Sequence, residues 1–131
     1  MGLENTYVIG MDMGTTNIKA VALGNDGRVV ADASLPNKFY NPGLNMHEQD
    51  ANEWWQNVQY IFNTITERIG IEAVKQIRGI CISSHTVSLL PVAENGMPLY
   101  RALTYQDSRS VGELREIIEK IGYKQFVRIV G

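Results

Sequence analysis

One cysteine, Cys81, stands alone in 131 residues, so no disulfide can form within the chain and a disulfide-stapled scaffold is excluded. No apolar stretch is long enough to cross a bilayer as a helix. The first six residues are polar and lack the apolar core of a secretory leader. Basic runs are missing too. Twelve Lys and Arg stand against fourteen Asp and Glu, a net charge of -2 that offers nucleic acid or an anionic membrane little to hold. Histidine is scarce, and His47 has no Cys or His partner at zinc-ligand spacing. What is present is an ordinary globular balance, 44% hydrophobic and 20% charged, enough for one domain with a core and too apolar for disorder. The expected address is the cytoplasm.

Hydrophobic patterning predicts an α/β chain. Residues 7–12 read as a short buried strand ending in Asp12, residues 13–16 as a tight turn, and residues 17–23 as a second apolar strand. Asn25-Asp26-Gly27 is a hairpin signal leading into a third strand at residues 28–34. The chain is thus expected to open as an antiparallel meander. After a loop at residues 38–49, Asp50 is placed to cap a helix, with Glu53 completing a capping box. Trp54, Val58, Ile61, Phe62, Ile65 and Ile69 then form one stripe at helical spacing, and Gly70 ends it. On that stripe Trp54 belongs to the core, whereas Trp55 falls off it and is expected at a seam. Ile80-Cys81-Ile82 lies in a continuous apolar run at residues 77–84, which predicts a strand covered on both faces with Cys81 buried. That strand follows a long helix and so can lie parallel to the first. Further extended segments are expected at residues 88–93 and 98–105, and a last helix at residues 110–121 with Ser110 and Glu113 as a capping box. The apolar run at residues 126–131 is expected to be the cut edge of a larger protein, the alternative being a terminal helix docked on its own core.

The residues richest in chemistry are Asp12-Met13-Gly14-Thr15-Thr16-Asn17-Ile18-Lys19. They lie between two strands, which excludes a Walker loop, since that needs a helix after its glycines. The residue types still suit phosphate. Gly14 permits close backbone approach, successive turn amides can point at anionic oxygens, and Thr15 and Thr16 add hydroxyl donors. Asp12 at a strand end can hold Mg2+ through water, and Lys19 brings a fixed positive charge back toward the turn. An isolated Asp-x-Gly-Thr is usually a plain hairpin, because Asp and Gly are common turn formers. Here the apolar strand before it and the lysine after it favour the ligand reading.

Asp12-x-Gly14-Thr15-Thr16-x-x-Lys19 resembles the first phosphate motif of the FGGY carbohydrate kinases, within the actin-like ATPase superfamily of ribonuclease H-like domains. Two further stretches resemble the same family in order: His47-Glu48-Gln49-Asp50 with Glu53-Trp54-Trp55, and Gly96-x-Pro98-Leu99 with Tyr105-Gln106-Asp107-Ser108-Arg109. The resemblance runs from about Tyr7 to Arg109. It implies a ribonuclease H-like domain with a mixed sheet and helices packed on it, present in part. Residues 1–131 would be the N-terminal portion of the first kinase domain, the nucleotide domain being absent from the chain.

The resemblance also implies roles. Asp12 would organise the Mg2+ shell, Gly14, Thr15 and Thr16 would cradle the phosphates of ATP, and Lys19 would lie near the γ-phosphate. A sugar in the cleft between two domains would meet His85 and Thr86, after the strand at residues 77–84, and Tyr105. Asp107 and Arg109 would either pair to shape that wall or reach the substrate. Two departures bear on specificity. His85-Thr86-Val87 replaces the Gln-Met-His of many pentulose kinases, and Tyr105 replaces a tryptophan. His85 reads equally well as a sugar ligand and as a strand-end cap. A general base is needed to take the hydroxyl proton; the resemblance puts that Asp beyond residue 131. The expected function is ATP-dependent phosphorylation of a small sugar, polyol or sugar acid, with this piece inactive alone and a homodimer left open. An actin-like ATPase or activator shares only the turn, and a non-catalytic binding module would be this piece by itself.

Overall fold

A computed structural model describes residues 5–131; residues 1–4, part of the polar start read above as lacking a leader, lie outside it. The main sheet has the order β3-β2-β1-β5, formed by β1 (Tyr7–Met13), β2 (Asn17–Gly24), β3 (Val29–Pro36) and β5 (Ile77–Ser84). β1 and β2 pair antiparallel without interruption from Tyr7↔Gly24 to Met13↔Ile18. The β2–β3 hairpin turns where Gly27 takes φ 79°, a left-handed conformation that disfavours a side chain, while the Asp26 carboxylate accepts from the Arg28 amide at 3.0 Å. The expected meander is therefore present. β5 returns parallel to β1, reached through helix α1 (Ala51–Ile69) and the short turn α2 (Ile71–Val74).

Alternation along the strands decides which face is buried. Ile9 and Met11 of β1, Ile18, Ala20 and Ala22 of β2 and Ala31 of β3 share one face with Val58, Ile61 and Ile65 of α1, and this is the core. The column of alanines under α1 lets the helix lie close to the sheet, and the larger Ile9, Ile18, Ile61 and Ile65 fill the space beside it. Asp50 caps α1 by accepting from the Asn52 amide at 2.8 Å, and Gly70 stops it at φ 84°. Glu53 does not close the capping box. Its Oε1 instead accepts from Lys38 Nζ at 2.9 Å and Tyr40 Oη at 2.8 Å, drawing the preceding loop onto the helix.

The loop expected at residues 38–49 ends in a two-residue strand, β4 (Glu48–Gln49), which pairs antiparallel with β6 (Ala102–Leu103). Residues 88–98 form no continuous strand but an irregular hairpin joined by the bridges Leu89↔Leu103 and Val92↔Pro98. Helices α3 (Val111–Ile121) and α4 (Tyr123–Val130) close the chain, and Ser110 makes no side-chain cap bond to α3. Two burial expectations are overturned. β5 is an edge strand, its Ile80 and Ile82 are more than half exposed, and Cys81 is exposed rather than buried, because α1 lies over β2 and β3 and leaves β5 uncovered. Trp55 is likewise exposed at 62%, not packed at a seam. Most apolar side chains of α3 and α4 are also exposed, while Ile118 and Phe126 are half-buried. Among the described residues no helix is long and apolar enough to cross a membrane.

Candidate functional site

The β1–β2 turn sits at the open end of the sheet. Asp12 and Lys19 are direct cross-strand partners, and Ser83 of β5 is Asp12's partner on the other side. All three lie on the face opposite the core. Asp12 and Lys19 are exposed and form no ion pair with each other or with any described residue. Gly14 is required by crowding: a Cβ there would lie 2.9 Å from the Asn17 carbonyl oxygen and 3.5 Å from Asp12 Oδ2. The Asp12 carboxylate thus leans over the turn. A shallow depression is lined by Asp12, the turn residues, Lys19 and, from across the chain, Tyr105.

Every carbonyl of the turn is held from behind. The Met13 oxygen accepts from the His85 amide at 3.1 Å and lies 2.8 Å from its ring Nδ1; the ring nitrogen must donate, which leaves Nε2 as the acceptor of a neutral ring. The Gly14 oxygen accepts from Asn37 Nδ2 at 2.9 Å, the Thr15 oxygen from Gln49 Nε2 at 2.8 Å, and the Thr16 oxygen from the Asn37 amide at 2.8 Å. Gln49 is fully buried and its Oε1 accepts from the Trp54 indole at 3.0 Å. Asn37 is 8% exposed, and its Oδ1 accepts from Asn57 at 3.2 Å. In contrast, the amides of Gly14, Thr15 and Thr16 donate to no described residue.

A second depression adjoins the first, with Tyr105 in the wall of both and Val87, Leu103 and Arg109 on its far side. Val87 has φ 62°, a strained conformation for a β-branched residue, and such strain tends to gather at ligand sites. Behind this wall lies a charge cluster centred on Glu48, which is 1% exposed. Glu48 Oε1 accepts from Arg109 Nη2 at 2.7 Å and from Tyr100 Oη at 3.2 Å, and Arg101, stacked 3.7 Å over the Tyr40 ring, stands 3.8 Å from Oε2. Asp107 grips Arg109 at Nε and Nη2 and accepts from the His47 amide at 2.7 Å. The Arg109 guanidinium, helped by the His47 amide, holds the Asp107 carboxyl down to about 2, and the two carboxylates push Arg109 up. These bonds tie the loop before β4 to the segment carrying Tyr105.

The profile of the FGGY family of carbohydrate kinases, N-terminal domain, matches residues 7–131. The chain belongs to the FGGY family. It is 33% identical over 124 residues to the gluconokinase of Bacillus subtilis, spanning 94% of this chain and 24% of that enzyme. It is 30% identical over 115 residues to the xylulose kinase of Staphylococcus epidermidis, spanning 88% of this chain and 23% of that one. The crystal structure of gluconate kinase from Lactobacillus acidophilus superposes with a TM-score of 0.84 at 26% identity, covering 95% of this chain and 25% of that one. The chain therefore spans about a quarter of the length of the relatives it matches. The architecture is that of the actin-like, ribonuclease H-like fold in its N-terminal part.

Within this FGGY domain the structure brings Asp12, Gly14, Thr15, Thr16, Lys19 and Tyr105 around one depression. Asp107 and Arg109 form the ion pair that was one of their two expected roles, and both Asp107 oxygens are occupied. His85 does act as a strand-end cap, through Nδ1; its Nε2 makes no bond to a described residue. Thr86 is exposed and also makes none. Sequence reasoning did not single out Asn37, Gln49 or Glu48 as parts of the site. Gln49 and Glu48 fall inside the family-like His47–Asp50 stretch, which was the available signal; Asn37 stands in a loop with no pattern around it.

Proposed function

We propose that the full-length protein containing this FGGY domain transfers the γ-phosphoryl group of ATP to a hydroxyl of a small sugar, polyol or sugar acid, with Mg2+. One observation carries the reading: a solvent-open turn whose amides at residues 14–16 lack protein acceptors, with an exposed carboxylate and an exposed ammonium facing each other beside it. Phosphoryl transfer depends mainly on positioning and charge stabilisation, and these are what such a turn supplies. The Gly14, Thr15 and Thr16 amides and the two hydroxyls bind phosphate oxygens, and Lys19 offsets their charge. Asp12 offers a single exposed carboxylate, a donor set that fits an ion keeping most of its water. Asp12 would hold Mg2+ there through water, and the ion would supply positive charge to offset the negative charge developing on the phosphates.

The substrate lies on the Tyr105 side. Tyr105 gives a flat apolar wall, and His85 Nε2 and Thr86 Oγ1 contact sugar hydroxyls, while Asp107 and Arg109 hold the wall in place. The names of the relatives favour an aldonic acid such as gluconate or a pentulose such as xylulose, with short polyols a further class. The general base and the adenosine site come from residues after 131, so residues 1–131 form the N-terminal portion of the first kinase domain and are inactive alone. The test is ADP release by the full-length protein with Mg2+ and ATP across a panel of aldonic acids, pentuloses and short polyols. At least one member is expected to raise turnover well above the sugar-free rate. Turnover indifferent to every sugar would point to an ATPase or activator instead.

A further inference from the structure

We propose that Asn37 and Gln49 are positioning residues that aim the amides of the β1–β2 turn at the nucleotide, an inference that rests on the phosphate-cradle reading above. A trans peptide directs its C=O and N–H to opposite sides, and no peptide bond among the described residues is cis. The carbonyls of Met13, Gly14 and Thr15 belong to the same peptides as the amides of Gly14, Thr15 and Thr16. Pinning those oxygens on His85, Asn37 and Gln49 therefore turns the three N–H groups away from these side chains. His85 pins the first, Asn37 the second and Gln49 the third, at 2.8, 2.9 and 2.8 Å.

Neither amide side chain is free to reverse. The Gln49 oxygen is committed to the Trp54 indole N–H, and the Asn37 oxygen to Asn57 Nδ2, so each NH2 group must face the turn. A hairpin paired without a break from Tyr7↔Gly24 to Met13↔Ile18 does not need this support to close. Burying two side-chain amides costs free energy unless every bond is made. Here each carboxamide has partners for both its oxygen and its nitrogen, and the nitrogen bonds all fall on one turn. The arrangement links α1, through Trp54 and Asn57, to the phosphate side of the site. Its consequence is a preorganised anion cradle that does not have to reorganise when nucleotide arrives.

The variant pair Gln49→Met with Trp54→Phe removes the Thr15 clamp without stranding the indole N–H. In the full-length protein it is compared with Trp54→Phe alone, because the Trp54 ring packs on the His85 ring, by nitrogen relaxation order parameters of the residue 14–16 amides without ligand, by titration with a fluorescent N-methylanthraniloyl-ADP, and by the KM for sugar. Lower order parameters at residues 14–16, a roughly tenfold loss of nucleotide affinity and a sugar KM equal to that of the control are expected. Unchanged order parameters and affinity in a folded variant would overturn the proposal, as would parallel losses for nucleotide and sugar that track a general loss of stability. If the wild-type protein binds no nucleotide, the kinase reading falls, and the order parameters still decide the clamp: lower values uphold it and unchanged values remove it. Should the pair fail to fold, Asn37→Ser is put through the same measurements with the same expectations.

Discussion

Asp107 shows how one side chain can be spent entirely on shape. Both of its oxygens are taken by Arg109 and the His47 amide, so it can neither accept a substrate proton nor bind a sugar without giving up a bond. Its carboxyl is held at about 2, below its ordinary 3.8, chiefly by the Arg109 hydrogen bonds. A depressed carboxyl stabilises the fold above its unfolded value, and that contribution is lost as pH falls through the folded value. Asp107→Asn should therefore lose stability at neutral pH and show a flatter acid limb between about pH 4 and pH 2 than the parent. Urea unfolding at a series of pH values checks this; identical acid limbs would remove Asp107 from the account. Tyr105 has the opposite character, being 57% exposed and shared by two depressions. Tyr105→Ala is expected to raise the sugar KM by roughly two- to tenfold, an aromatic contact being worth roughly 0.5–1.5 kcal/mol, and to leave the melting temperature nearly unchanged. Steady-state kinetics of the full-length protein against a thermal melt would separate the two effects.

At the scale of elements, α1 is the part on which the site stands. Its Ile61 and Ile65 are fully buried against the alanine column of β2 and β3, and its first two turns send Glu53, Trp54 and Asn57 to the loop, to Gln49 and to Asn37. Ile61→Ala should cost about 2–5 kcal/mol, the usual range for deleting a fully buried branched side chain. A loss below about 1 kcal/mol in denaturant unfolding would mean that the cavity collapses and the packing is looser than described. The meander, the α1 stripe and the parallel return of β5 were all legible in the sequence, because each rests on local periodicity and on capping or turn residues. The burial of β5 was misread for a physical reason: an apolar run reports what a strand is made to pack against, not what packs on it within this chain. Glu53 as a cap partner was misread because Lys38 and Tyr40 compete for its carboxylate, and both come from a loop whose path has no periodic signal. The same irregular backbone hid Asn37, although the turn that it clamps was the first site residue set to be seen.

For the molecule as a whole, apolar surface is unevenly distributed. The core under α1 is closed, whereas β5 and α4 present Ile80, Ile82, Tyr123, Ile129 and Val130 more than half exposed. Contiguous exposed apolar surface on a free sheet edge promotes association. Residues 1–131 expressed alone should therefore self-associate as concentration rises in sedimentation velocity, and should show no sugar-dependent ATP turnover; a stable monomer at high concentration would contradict the first expectation. The central claim concerns one turn of backbone, and calorimetric titration of ATP into the full-length protein and its Gly14→Ala variant tests it most directly. The added methyl group would meet the Asn17 carbonyl oxygen at 2.9 Å and force that turn to shift. Affinity is predicted to fall by at least about tenfold while the fold is retained; a variant that binds ATP as tightly as the parent would contradict the account.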